Sequence, residues 1–401
     1  MKKVLIITPT PTHPDTAGNR KMVKYLASFF KERGYEVHCL YLAFEQYDKA
    51  AMKAFFNGHL FEIAKDDLYR TSFNLHQLSL RLRLKWFRVA VRLKKWLGLI
   101  GQDDFLYNSH LDQHIGINAL DAARKLIDPK AYDIVVCEYV WMSSLLSLFG
   151  SKTFKIIDTH DKFSDRYKVF QELGKKPEWI SLYPGEEKRG LKRADLILAL
   201  NENERNYFSH LTGHKTILFG CLPGYSPLPR KSFEKHLLYI ASANELNLLS
   251  INWFIKEVFP LVQESDPMVK LIIGGRISSK VHSDNPSIEM IGEIESALDF
   301  YKSGDIVINP ELGGTGLKIK TLEALSIGMP IVATTSGAAG VMQPNKDHIL
   351  IGNTSVDLAG CIIRLLKDER LRVQVSENAI QWFKDYKLSI EKGLLDAVGV
   401  V

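Results

Sequence analysis

Residues 309–340, NPELGGTGLKIKTLEALSIGMPIVATTSGAAG, constrain the fold more than any other stretch. Ile306 to Asn309 is a short apolar run closed by Pro310, which has no N–H to give to a ladder, so it reads as a buried strand with a defined end. Gly313, Gly314 and Gly316 come next. Lacking Cβ atoms, they let the backbone turn with positive φ and approach a ligand closely. A helix is expected from Gly316 or Leu317, with Leu317, Leu322, Ala324 and Leu325 on its apolar face and Gly328, followed by Pro330, at its end. Ile331 to Ala333 is the next strand. Strand, glycine loop, helix and strand in so short a span make a unit of a parallel α/β sheet.

That loop leaves free backbone N–H groups and the positive end of the helix dipole pointing outward, which is an anion site. Lys318 and Lys320 lie in the first turns, where cations oppose the dipole; a diphosphate between them and the loop supplies a reason for both. Glu323 follows Lys320 by three residues and shares its face, placed to accept from the vicinal hydroxyls of a ribose. The competing reading is a surface Lys–Glu pair on an ordinary βα unit.

The run GGTGLKIKTLEALSIGMPIVAT resembles the nucleotide-sugar signature in the C-terminal domain of GT-B glycosyltransferases of the retaining group 1 (family 4-like) class. The resemblance implies an α/β chain of two Rossmann-like, doubly wound parallel-sheet domains facing an interdomain cleft. It implies transfer of a hexose-type sugar from a nucleoside diphosphate sugar to an acceptor hydroxyl, with no metal and no cofactor beyond that substrate. Gly313, Gly314, Thr315, Gly316 and Leu317 would then cradle the donor, Lys318 and Lys320 would stabilise the leaving diphosphate, and Glu323 would hold the ribose. Two departures stand out. Many members begin this motif with a Glu eight residues before the ribose Glu, where this chain has Thr315, with Glu311 nearby but out of register. Members also place an Arg and a Lys after the first strand of this domain, where this chain has Asn244, Glu245 and Asn247; Asn247 reads as a helix N-cap.

With 401 residues the chain has room for two domains. They are expected at 1–220, with a C-terminal helix of about 386–401 packing back on it, and at 221–385, with the Gly/Pro-rich segment GCLPGYSPLPR as linker. The net charge of +6 is mild. It suits anionic substrates or an acidic membrane surface and makes no demand for nucleic acid. Cys39, Cys137, Cys221 and Cys361 are widely spaced without a CxxC pair, which points to free thiols in a reducing cytosol. The apolar run after Met1 is too short for a signal peptide, and no stretch of about 18 apolar residues exists to span a bilayer. The expected location is cytoplasmic, with peripheral attachment to the inner face of the membrane as one form of it.

Val4 to Thr8 reads as the first strand, a helix runs from about Asn19 to Arg33, and Val37 to Leu42 completes the βαβ unit. Gly18 sits just before that helix, either facing the donor as in GT-B relatives or as a plain turn glycine. Leu68 to Gln102 differs in character: it holds no Asp or Glu and eight basic residues. Arg81, Lys85, Arg88, Arg92 and Lys95 fall in one arc of about 80° on a helical projection. Trp86, Phe87, Val89, Val91, Leu93 and Trp96 fill the remainder. The stretch fits an interfacial helix on the acceptor and membrane side, or a solvated helix face.

Tyr132 to Cys137 and Lys155 to Asp158 are further strands, with helices at Trp141 to Phe149 and Glu178 to Arg193. Glu138 and Tyr139 lie at the carboxyl end of the first of these strands, where open sheets bind ligands. Asp158, His160, Asp161 and Arg166 cluster at the outlet of the second. A metal there lacks a completed ligand set. In the group 1 relatives a His after this strand contacts the donor sugar, which makes His160 the third catalytic candidate; a capping role is the alternative. In the second half, Leu237 to Ala241 and Lys270 to Ile273 are strands, with Arg276 at the outlet of the second as a phosphate contact. Ile288 to Ile291 with Gly292 lies beside the nucleobase in relatives. Val356 to Lys367, Glu369 to Trp382 and Lys387 to Val398 read as helices. The acceptor implied is a glycan or lipid-linked glycan of surface polysaccharide assembly. A UDP-sugar epimerase of the same fold and a non-catalytic nucleotide-sugar or partner-binding module are the rival readings.

Overall fold

The computed structural model describes residues 1–401 other than 15–16, 70–74, 117, 173, 175, 221–223, 225–226, 230–231, 314–316, 342–346 and 400–401. The chain divides into two compact units, Met1–Cys221 with Gly393–Val401, and Leu222–Lys392.

The first unit is built on a seven-stranded sheet. Its order is Leu60–Ala64, Glu36–Ala43, Lys3–Thr8, Ile134–Glu138, Phe154–Asp158, Leu196–Ala199 and Thr216–Leu218, every neighbouring pair parallel. Helices cover the faces, so the central strands are apolar along their whole length rather than alternating. Val4 pairs with Val37 on one side and Ile134 on the other. Leu5, Ile7, Leu40, Val135, Ile157, Ile197 and Phe208 share one core. Strand order reverses beside Lys3–Thr8, and the crevice at such a point is where doubly wound sheets take ligands.

Three local readings of this unit change. Leu60–Ala64 is an unanticipated edge strand, short and half-buried, whose LFEIA lacks a continuous apolar run. The segment expected as a helix from Trp141 is a 3₁₀ run, Val140–Leu148. The helix expected from Glu178 begins at Pro184, because Ser181–Leu182 is drawn into a two-stranded sheet with Asn108–Ser109 and proline is preorganised for a first helical turn.

The second unit carries a six-stranded parallel sheet in the order Ile288–Gly292, Lys270–Gly274, His236–Ile240, Ile306–Asn309, Ile331–Ala333 and Leu350–Ile351. Its order reverses between His236–Ile240 and Ile306–Asn309. The helix after Asn309 spans Ile319–Ile327, so its onset is later than the expected Gly316 or Leu317, with Lys318 as N-cap. Gly328 ends it in the left-handed conformation at φ +72°. Where two terminal helices were expected, Glu369–Val398 is a single helix of 30 residues. No proline or glycine interrupts the expected break between Trp382 and Lys387, so the hydrogen-bond ladder continues through it. Its first part packs on the second unit: Ser376 Oγ donates to the Gly328 carbonyl at 2.6 Å, and the Trp382 ring stacks on His348 at 4.9 Å.

Candidate functional site

In the second unit, residues from two strand outlets meet at the switch point. After His236–Ile240, Asn244 caps helix Glu245–Trp253 by accepting from the Asn247 N–H at 2.8 Å. Asn247, expected as the cap, has a different task. Its Nδ2 donates to the Ser242 carbonyl at 3.0 Å and its Oδ1 accepts from Lys320 Nζ at 3.0 Å. The Lys320 ammonium also lies 5.0 Å from the centre of the Tyr239 ring, within cation–π range.

After Ile306–Asn309 the loop is held by its first residue. Asn309 Nδ2 donates to Thr321 Oγ1 at 3.0 Å and to the Gly337 carbonyl at 2.9 Å, tying the strand to the helix and to the next loop. Thr321 Oγ1 donates to the same carbonyl at 2.7 Å. A Cβ at Gly337 would stand 2.1 Å from the Asn309 carbonyl oxygen, so only glycine allows this approach. Lys318 is buried, and its Nζ donates to Glu311 Oε1 at 2.7 Å. Glu311 is thus a working part of the loop despite its position in the motif. The Leu312 N–H is taken by Ser250 Oγ at 3.2 Å.

A second lysine this close to the same helix N-terminus disturbs Lys320. Desolvation pushes the Lys320 ammonium down to about 8, Lys318 acts in the same direction, and Glu311 and Glu323 oppose it. Glu323 lies one turn along the helix, buried, and accepts from the Tyr301 hydroxyl at 2.8 Å. At the rim, Arg276 is exposed beside Gly275, whose φ of +89° lets it sit against the Ala241 carbonyl. Gly292 ends its strand at φ +79° and its carbonyl accepts from the Gly275 N–H at 2.8 Å. Gly313 has open space where a side chain would begin, and Leu317 is half-buried ahead of the helix. Gly314, Thr315 and Gly316 lie outside the described residues.

The first unit has its own cluster at the outlets of Ile134–Glu138 and Phe154–Asp158. His160 is buried, and its Nε2 is hydrogen-bonded to Glu138 Oε2 and 3.8 Å from Asp158 Oδ2. Its ring stacks on Tyr139 at 4.3 Å between centres. Tyr139 and His160 adopt φ of +65° and +57°, left-handed values that strain residues with side chains and gather at functional sites. Tyr139 accepts from Asn19 Nδ2 at 3.3 Å, and Asn19 follows Gly18, the first residue of helix Gly18–Glu32. Burial pushes the Glu138 carboxyl well up, burial and the Glu138 charge push Asp158 up, and burial pushes the His160 imidazole down against the pull of Asp158. Glu138, Asp158 and His160 bring one ligand atom each within 4.8 Å of one another, so Glu138 supplies the third member that a metal site here lacked in sequence. A cation would have to displace the Glu138–His160 bond. Asp161 and Arg166 pair with each other at 2.9 Å. Arg81, Lys85, Arg88 and Arg92 are exposed on helix Leu75–Trp96 of the first unit.

Residues 234–368 match the family described as Glycosyl transferases group 1. The chain carries a glycosyl transferases group 1 domain. Its matched residues include Asn247, Glu311, Lys318, Lys320 and Glu323; Gly18, His160 and the basic helix precede them. Among solved structures, the sucrose-phosphate synthase of Thermosynechococcus elongatus superposes with a TM-score of 0.63 at 15% identity, over 99% of this chain and 98% of that one. Anabaena Alr3699/HepE, solved with UDP and glucose, does so with a TM-score of 0.60 at 13% identity over all of both chains. The fold of this glycosyltransferase is therefore GT-B. A curated relative, an uncharacterized 44.6 kDa protein in the cps region of Klebsiella pneumoniae, is 22% identical over 96% of each chain.

Four contributors to these clusters were not identified as site residues from sequence. Glu138 carried a signal, an ionisable residue closing the apolar run IVVC. Glu311, Tyr301 and the side-chain role of Asn247 carried none, since each depends on a partner 7 to 73 positions away in the chain.

Proposed function

We propose that this glycosyltransferase moves a hexose-type sugar from a UDP-sugar to an acceptor hydroxyl, with retention and without a metal at the diphosphate, in the assembly of surface polysaccharide or lipid-linked glycan at the inner face of a membrane. The observation that carries the reading is the convergence of Lys318 and Lys320 on the N-terminal turn of helix Ile319–Ile327, where Asn309 ties the strand outlet to Thr321 and Gly337. Two ammonium groups and a helix N-terminus supply fixed positive charge where charge grows on a departing diphosphate. The bond between the anomeric carbon and the diphosphate oxygen breaks, the acceptor oxygen bonds to that carbon, and the acceptor proton passes to the leaving phosphate.

Lys320 already reaches across to Asn247, so it spans the crevice a diphosphate would enter. Lys318 would exchange Glu311 for a phosphate oxygen. Glu323, steadied by Tyr301, would take the ribose hydroxyls; Gly313 to Leu317 would wrap the phosphates, with Arg276 and Gly292 at the rim. His160, oriented by Glu138 and stacked on Tyr139, would contact the sugar, with Gly18 approaching it from the first helix. The complex of HepE with UDP and glucose, together with the cps region in which the Klebsiella relative lies, supports this choice of donor and pathway.

Calorimetry with UDP, GDP and ADP tests the donor. UDP is expected to bind tightest, and Glu323→Ala to weaken it by about ten- to a hundredfold, the worth of hydrogen bonds to a charged group. Unaltered affinity in a variant of unaltered melting temperature would remove Glu323 from the ribose. UDP release that rises on adding a glycan acceptor reports transfer itself.

A further inference from the structure

Helix Leu75–Trp96 presents three faces to three surroundings. One faces inward. Phe87 meets the rings of His110 and Tyr183 at 4.8 and 5.9 Å, Leu80 is buried, Leu84 and Val91 are half-buried, and Lys95 lies 4.4 Å over Phe105. At about 100° per residue, the opposite side carries Leu78, Leu82, Trp86, Val89, Leu93 and Trp96 in an arc of about 80°. All six are exposed, Trp86 by 70% and Trp96 by 81%. Leu97 and Leu99, also exposed, prolong the stripe past the helix. Arg81, Lys85, Arg88 and Arg92 border it on one flank and Lys94 lies on the other side, all exposed, while Arg83 lines a cavity with Leu80, Asp112 and Arg193. The acids that follow in sequence, Asp103 and Asp104, are turned elsewhere, accepting from Gln171 and from the Tyr167 hydroxyl.

An apolar stripe of about 27 Å with cations along both edges is not a solvated face. We infer that it docks on an anionic lipid bilayer, with Trp86, Leu93 and Trp96 entering the headgroup layer and the five flanking cations meeting lipid phosphates. The charge pattern selects this occupant. A second copy of the chain would set like-charged flanks against each other, with no acid in either stripe to relieve them. Among the described residues no helix is long and apolar enough to cross a membrane, so the attachment is to the surface. The inference extends the proposed function by naming the surface that meets the membrane, and its test uses no sugar donor.

The full chain is floated with phosphatidylcholine vesicles, with and without phosphatidylglycerol. Binding is expected only with the anionic lipid and should weaken as salt is added. Arg81→Gln/Lys85→Gln/Arg88→Gln should lower the partition coefficient roughly a hundredfold. Trp86→Ala/Trp96→Ala should lower it by about tenfold or more and abolish quenching of tryptophan emission by brominated lipid. Both variants should keep the parental melting temperature and UDP affinity, which separates failure at the membrane from failure at the donor site. Equal binding to uncharged vesicles, no binding to anionic ones at low salt, or a lipid-independent dimer that Trp86→Ala/Trp96→Ala dissolves would each overturn the inference.

Discussion

Lys320 is held between Asn247, the Tyr239 ring and a second lysine, and this crowding makes its charge depend on pH in a useful range. With its ammonium pushed down to about 8 it is charged below that value and neutral above. An arriving diphosphate favours the charged form, so binding above that pH must take up a proton. UDP affinity is therefore expected to fall by up to about tenfold per pH unit as the solution is raised from neutrality towards the ordinary lysine range, and Lys320→Gln to flatten the profile; calorimetry in buffers of different ionisation heat reads both. Glu138 offers a second test. Glu138→Gln preserves a hydrogen bond to His160 but removes the acid, and kcat is expected to drop on the order of ten- to a hundredfold while UDP binding, which we propose for the other unit, stays as it was. At this scale the sequence was legible where a residue's role is local. Lys318, Lys320 and Glu323 could be found because they are neighbours on one helix. Glu311 could not, and Glu138 could be placed at a ligand-binding strand end but not paired with His160, because the lysine and the histidine that give them meaning are brought to them only by folding.

The elements were easier to read than their ends. IVIN, IVA, LILA and KVLIIT are continuous apolar runs, and a sheet buried on both faces requires such runs, so the central strands stood out. LFEIA at the sheet edge is half-exposed and carries a glutamate, which hid it. The helix Ile319–Ile327 starts later than its pattern suggests because Lys318 serves as cap and keeps its side chain on Glu311. Its other end shows why Gly328 was a safe reading. A Cβ there would meet Ile380 at 2.7 Å on top of a φ of +72°. Gly328→Ala is expected to cost about 1–3 kcal/mol, read as a lowered denaturation midpoint, with UDP affinity falling less than stability since the N-terminal end of the helix, the proposed phosphate site, is not touched.

The two parallel sheets each reverse their strand order once, and the apolar strand runs that build both sheets were legible in the sequence. The final segment, expected as a separate helix of about 386–401 packing back on the first domain, is continuous with the helix before it. Leu394, Ala397 and Val398 are buried in the segment Gly393–Val401, which belongs with the first unit. A chain stopped after Lys392 is expected to lose about 2–5 kcal/mol from the first unit alone, so that calorimetric melting splits into an earlier and an unchanged transition while UDP still binds. The outward tryptophans of helix Leu75–Trp96 have a further consequence for the free molecule. Like charge bordering them holds separate chains apart for as long as ions in solution are few. Concentrated electrolyte therefore does two opposite things, releasing the protein from lipid and permitting greasy ridges on different molecules to find each other. Protein stripped from membranes by strong salt should clump, and simple dilution should disperse it.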